Sequence, residues 1–464
     1  MGRQRDARAR WRPYHTTWTW LFLAWTFLYI DRSITGPVVA WMIGEELPMV
    51  AHAAMPHALG GLIGGMFFAG YMLTQFPAGY LGDRYGRRSM VVLSTLLAGA
   101  TTLLTGMARS LYAFVAARVL TGLVEGAYYS NDRALIASTT PAEKKGLAMG
   151  IVFSGLAVGL TAATLLTPHL LEWAGWMGEE AWTLPFLLFS LPTLGVAVGL
   201  WRHLRPAGGA ERLGRAAVRL LAYCAVLLVV LMAVFAAVDG FGLSELVQVG
   251  AVAVTALALV GAIYLLLGRR NAAVLRDRDL VLMYLSAVPI LYTLWFFGFW
   301  ALLVVSESAS IGLDGAALYA AFFGLANGLG YPLGGLLTDR TAAAGRRKLY
   351  VALCLVVAAL VLALGAYLGM GGGDYVVIGA LIFAVGLPFS AMQTVHMALT
   401  SDLAPPAQMG QAFGMWNLVA EFGALLSPVV AGYLRDLTGS WTLPVAVTGA
   451  LLVASAALVL LVRR

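Results

Sequence analysis

The sequence predicts an all-α polytopic membrane protein of fourteen transmembrane helices, arranged as two six-helix bundles plus a central two-helix hairpin. Three observations predict it. Of the 464 residues, 60% are hydrophobic and only 11% charged, whereas a soluble domain is about a quarter charged. Apolar stretches near the roughly 20 residues that cross a bilayer recur along the whole chain, and backbone in lipid must satisfy its own hydrogen bonds as helix. Finally, the chain repeats itself. PAGYLGDRYGRR at 77–88 returns as PLGGLLTDRTAAAGRR at 332–347, PAEKKGLAMG at 141–150 as PPAQMGQAFG at 405–414, and WTLP at 182–185 as WTLP at 441–444.

Taken in order, the apolar stretches place helices at roughly 17–43, 57–81, 89–108, 111–132, 147–170, 183–202, 217–239, 245–268, 281–306, 315–338, 349–370, 375–400, 411–434 and 442–462. The expected organisation is a basic cytoplasmic tail at 1–16, a first bundle at 17–202, a linker with two extra helices at 203–280 and a second bundle at 281–464. The arginine-rich start, MGRQRDARARWR, reads as an anchor, because the apolar run behind it is too long for a signal peptide and no A-x-A site follows. Cys224 and Cys354 both fall inside apolar helices, where a small buried hydrophobe is the ordinary role.

Loop charge orients the helices. Of the 30 Lys and Arg, Arg32 and Arg118 fall inside helices and Arg109 and Arg435 in loops expected outside. The other 26 lie in the tail, at the C-terminus or on alternate loops, near 84–88, 133–145, 202–219, 269–278 and 340–348. Both termini are therefore expected in the cytoplasm, and the plasma (inner) membrane is the expected location. This topology accounts for the net charge of +7, so no nucleic-acid partner is called for. The lipid bilayer and a small-molecule substrate are the expected partners, and the protein is expected to be a monomer. No HExxH, GxSxG, Walker or paired-cysteine motif occurs and no soluble module is left over, which argues against an enzyme or receptor. No cofactor or metal site is expected.

Inside this apolar background four charges stand out. LYIDRSITGP at 28–37 puts Asp31 and Arg32 near the middle of the first helix, where a charge costs about 2.5–3.5 kcal/mol on insertion scales and is seldom kept without a role. The fourth helix supplies Arg118 and Glu125, two turns and about 10.5 Å apart on one face, too far for an i,i+4 pair and free to meet partners across a cavity. A buried structural ion-pair network is the bland reading, but the second half has no equivalents of these four. Asp31 and Glu125 are the candidate proton carriers. Arg32 by preference, and Arg118, would offer a planar fork to a substrate carboxylate, which lysine cannot reproduce. The coupling ion is expected to be H+, with sodium open because carboxylates ligate either. Tyr29, Gln393 and Asn417 are further candidates for substrate contact. Asn327 and His396 are polar groups in apolar surroundings, and His396 is better read as a satisfied structural histidine. Gly60, Gly61, Gly64 and Gly65 read as a close helix contact.

With those residues in view, the turn Gly79 to Arg88, G-x-L-G-D-R-x-G-R-R, resembles the signature loop of the major facilitator superfamily, and it occurs in both halves. YIDR at 29–32, RVLTGLVEGAYYSNDRALIASTTPAEKKGLAMG at 118–150 and SDLAPPAQMGQAFGMWNLVAEFGALLSPVVAGYLRDLTGSW at 401–441 further resemble its anion:cation symporter family. The resemblance covers all but the central hairpin. It implies the major facilitator fold, alternating access and proton-coupled import of a small organic anion such as a sugar acid or carboxylate. It implies that Asp31, Arg32 and Glu125 are proton-coupling and anion-binding residues. It also implies a cytoplasmic latch in which Asp83, Arg84, Arg87 and Arg88, with Asp339 and Arg340 of the second copy, pair across the two halves. One residue departs from the pattern. Glu421, mid-helix and without an intramembrane basic partner in its half, suits a cationic or zwitterionic solute or a further proton. A proton-driven exporter of drugs or cationic or zwitterionic solutes is therefore the alternative.

Overall fold

The computed structural model describes residues 11–51, 53–141, 144–204, 212–267, 274, 276–405 and 408–463. The first ten residues of the expected basic tail lie outside them. The long helices are α1 (Pro13–Gly44), α2 (Pro56–Tyr85), α3 (Arg87–Gly106), α4 (Leu111–Thr139), α5 (Lys145–Trp173), α6 (Thr183–His203) and α7 (Leu213–Gly240). They continue as α8 (Glu245–Leu267), α9 (Arg278–Ala309), α10 (Leu313–Arg340), α11 (Ala343–Gly369), α12 (Tyr375–Leu403), α13 (Met409–Thr438) and α14 (Thr442–Leu460).

The expected count of fourteen spans is met only in part. Among the described residues twelve helices are long and apolar enough to cross a membrane by length and composition. α1 is not one of them: it carries Asp31 and Arg32, and most of its length is buried against other helices. α8 offers only the shorter apolar stretch Gly250–Ala262.

Local chemistry fixes several ends. Ser110 caps α4 by accepting from the Ala113 amide at 3.2 Å, and Asp374 caps α12 by accepting from the Val376 amide at 2.8 Å. Gly86, at φ 103°, makes the abrupt turn from α2 into α3 that a side chain would resist. α4 runs to Thr139 and not to 132, so Asp132 and Arg133 belong to the helix.

Helices α1–α6 meet α9–α14 through α2 on α13, α5 on α10 and α1 on α9. The glycines of α2 make the first contact close. A Cβ on Gly61 would strike the Pro428 carbonyl oxygen, and one on Gly65 would come within 2.8 Å of the Leu425 carbonyl oxygen. The pair α7–α8 packs on α2 and α4, where Tyr223 donates to the Leu73 carbonyl at 3.1 Å. Cys224 and Cys354 are buried and free.

Candidate functional site

Two ion pairs between α1 and α4 occupy the middle of the bundle. Arg32 Nε donates to Glu125 Oε2 at 2.6 Å, and Arg118 Nη1 donates to Asp31 Oδ1 at 3.3 Å. None of the four residues is more than 4% exposed. Each helix carries one acid and one base of the quartet, so the pairs are crossed. The network is also incomplete. Asp31 Oδ2, Arg32 Nη2, Arg118 Nε and Glu125 Oε1 are buried without a hydrogen-bond partner among the described residues. Buried charged atoms are ordinarily bonded, so these four are exceptions in an otherwise paired interior.

Arg32 is held further by rings. Its guanidinium carbon lies 4.3 Å from the Tyr71 ring centroid and 4.9 Å from that of Tyr29, close enough for cation–π attraction. These groups border a small cavity of about 20 Å³, room for about one water molecule. Tyr29, Arg32, Gln393, Asn417 and Glu421 all line it, so five of the eight residues proposed for proton or substrate contact converge there. Asp31, Arg118 and Glu125 stand behind Arg32.

The far wall comes from the last six helices. Asn417 Nδ2 donates to Gln75 Oε1 at 2.9 Å, joining α13 to α2, and Tyr331 donates to Gln393 Oε1 at 2.9 Å. Tyr29 stacks on Trp295 with centroids 5.9 Å apart. Glu421 is 5% exposed, and its Oε2 has no hydrogen-bond partner among the described residues. Asn327 is buried outside the cavity lining. His396 is satisfied on both sides: Ser286 Oγ lies 2.7 Å from Nε2, and Trp416 donates to Nδ1 at 2.9 Å. Among the described residues no group of three or more His, Cys, Asp or Glu is placed to hold a metal ion.

The signature-loop charges lie at one end of the bundle. Asp83 pairs with Arg87 at 2.9 Å, Arg87 Nη1 reaches the Ala134 carbonyl at 3.4 Å, and Arg88 donates to the Trp201 carbonyl. Arg84 lies against Tyr85, 5.5 Å from the ring centroid. In the second copy Asp339 and Arg340 are exposed in the last turn of α10, while Arg346 grips both Asp402 oxygens at 2.8 Å. Each of these ion pairs joins helices on the same side of the α2–α13 contact.

The model of the Major Facilitator Superfamily matches residues 21–320 and 291–464. The chain belongs to that superfamily. This superfamily member is a multi-pass membrane protein, and it spans about a third of the length of the first curated relatives it matches. It is 25% identical over 457 residues, 93% of this chain and 89% of the relative, to the "Probable sulfoacetate transporter" of Cupriavidus necator. It is 32% identical over 154 residues to the "Probable anion transporter 6, chloroplastic" of Arabidopsis thaliana, a match that spans 33% of this chain and 29% of that relative. Among solved structures, a D-xylose-proton symporter superposes with a TM-score of 0.69 at 14% identity, covering 97% of this chain and 98% of that one.

Two clusters of this superfamily member were missed by sequence reasoning. At the end opposite the signature loop, His57 at the start of α2 bridges to the other six helices. Its Nδ1 lies 2.6 Å from Asp436 Oδ1 and its Nε2 3.0 Å from Glu307 Oε1. The Ala58 amide donates to Asp436 Oδ2 at 2.8 Å, Arg435 pairs with Glu307 at 2.7 Å, and the Trp441 indole donates to Glu307 at 2.9 Å. The second cluster is Asp132, placed by the sequence at the end of the fourth helix, and Arg133, placed in the loop after it. Asp132 is fully buried and accepts from the Trp25 indole at 2.6 Å. The recurrence of WTLP was the one signal pointing at the first cluster, since it placed Trp441 at a repeated helix start. Nothing local pointed at the second.

Proposed function

We propose that this protein imports a small organic anion, such as a sugar acid or carboxylate, together with protons by alternating access. The observation that carries the reading is the crossed pair Arg32–Glu125 and Asp31–Arg118 beside a cavity that Arg32 lines. Arg32 spends its Nε on Glu125 and has Nη2 unbonded. A substrate carboxylate would take the outer edge of that fork, in the planar geometry arginine offers. Protonation of Glu125 removes the competing charge, and Asp31 plays the same part for Arg118. Loading an anion and protons together leaves the cavity nearly neutral, the condition under which the first and last groups of six helices rock past each other. The superfamily resemblance and the anion-transporter names of the relatives point the same way.

The signature-loop end is then the cytoplasmic one, both termini lie on that side, and the residues at 217–268 are an inserted hairpin between two bundles. The loop charges Asp83, Arg84, Arg87, Arg88, Asp339 and Arg340 act as the latch when the opposite end opens. The protein works as a monomer in the plasma membrane. Glu421 favours one other reading: a carboxylate among aromatic walls suits a cationic or zwitterionic solute, and export of such a solute by proton exchange is the alternative.

The test is flux in reconstituted vesicles. Glu125→Gln is expected to abolish pH-driven accumulation while keeping exchange down a solute gradient, and Arg32→Lys to lose about tenfold or more in affinity as the fork is lost. pH-driven accumulation that survives Glu125→Gln would sink the coupling role.

A further inference from the structure

We infer that Arg133 forms a second anion subsite, which receives the carboxylate after it leaves Arg32 on the signature-loop side of the cavity. The inference rests on the reading of Arg32 as the first anion site. Arg133 sits eight residues beyond Glu125 on α4, about 12 Å further along the axis. Its side chain is 18% exposed, so it is neither a solvated loop charge nor sealed in.

Its surroundings hold the cation largely through aromatic rings. Phe153, Trp25 and Tyr129 present their rings at 4.5, 5.3 and 5.6 Å from the guanidinium carbon. Nη1 donates only to the Met149 thioether at 3.2 Å, a weak acceptor. Asp132 Oδ2 forms an ion pair with Nη2 at 3.2 Å and also accepts from the Trp25 indole at 2.6 Å, while Nε is buried with no hydrogen-bond partner among the described residues. A buried guanidinium normally spends its five donors, and this one keeps a planar edge available for a bidentate carboxylate or sulfonate.

The place of that edge gives it a role. Trp25, Tyr129 and Phe153 are all walls of the central cavity, and Arg133 lies against the same three rings without lining the cavity itself. Trp25 touches both arginines, with the Arg32 guanidinium carbon 5.7 Å and that of Arg133 5.3 Å from its ring centroid. Phe153 also meets Tyr331 of α10 across the α5–α10 contact, centroids 6.2 Å apart. An anion passing that pair on the way out exchanges one stacked guanidinium for another and never faces an uncompensated apolar wall.

The test is calorimetric titration of purified protein with sulfoacetate and with gluconate, on the wild type, Arg133→Gln, Arg32→Gln and the double variant. Arg32→Gln is expected to keep a weaker binding event that disappears in the double variant. In vesicles Arg133→Gln is expected to raise the half-saturating anion concentration at the signature-loop side by about tenfold, the worth of a charge-assisted hydrogen bond, with the opposite side unchanged. Arg133→Lys keeps the packing and the charge and should restore folding and part of the affinity. If Arg32→Gln abolishes all binding and Arg133→Gln changes nothing, the second subsite is wrong and the Arg32 site stands. If only Arg133→Gln abolishes binding, the subsite stands and the Arg32 reading falls. Absence of binding by the wild type to either anion overturns both.

Discussion

At the His57 end of the bundle α2 and α13 touch backbone to backbone, while at the signature-loop end glycines on the same interfaces face nothing. A Cβ on Gly432 would strike the His57 carbonyl oxygen, and one on Gly36 would lie 2.5 Å from that of Phe299. By contrast Gly150 of α5, Gly335 of α10, and Gly410 and Gly414 of α13 have no atom within 4 Å of an added Cβ. The seals differ as sharply. His57 gathers Glu307, Asp436 and, through Glu307, Arg435 and Trp441 into one cluster across the two groups of helices. Toward the other end the two groups of helices meet through an aromatic edge, Phe153 on Tyr331, and the Asn417–Gln75 hydrogen bond, with the ion pairs of the signature loop satisfied locally. Packed glycine and a charge cluster close one mouth; toward the other, an aromatic edge and an amide hydrogen bond join the two groups of helices.

The firm seal is the place to break that contrast. Gly61→Val forces a branched side chain onto the Pro428 carbonyl and is expected to destabilise the closed His57 end by about 1–3 kcal/mol. Pulsed dipolar spectroscopy between spin labels at Met55 and Ser440 would read a longer distance, with little background because Cys224 and Cys354 are buried. His57→Ala removes the hub of the charge cluster but leaves the glycine packing. It should cost about 2 kcal/mol, the scale of hydrogen bonds to charged groups, and show as a lower melting temperature. The smallest effect sharpens the contrast from the other side. Tyr331→Phe keeps the ring on Phe153 and loses the bond to Gln393, worth about 0.5–1.5 kcal/mol. Faster labelling of a cysteine placed at Ser154, with the Met55–Ser440 distance unchanged, is the expected result.

Much of this was legible in the sequence, and the residues explain where it stopped. Helix positions followed from apolar runs, and the repeats located matching starts at Trp182 and Trp441. The pairing of α1 with α4 was anticipated in kind, because Asp31, Arg32, Arg118 and Glu125 have no local partners. Arg133 was assigned to a loop because apolar character ends at Asp132. Only tertiary neighbours far away in the chain, Trp25 and Phe153, make a helical position tolerable for it. His57 escaped for a related reason: it lies at a helix start, where a polar residue is unremarkable, and its partners are 250 and 379 residues away. The count of fourteen spans is matched by fourteen long helices, of which twelve meet the length and apolarity of a span among the described residues, since α1, with Asp31 and Arg32, and α8 fall short of that apolar length.

On the proposed function the charges between the two ends decide which one opens, so the most direct measurement is proton exchange on anion binding. Purified protein in weakly buffered detergent would be mixed with saturating sulfoacetate or gluconate near neutral pH while a pH indicator is followed. The account predicts uptake of at least one proton per protein in the wild type and its loss in Glu125→Gln. Anion binding with no proton uptake would contradict it.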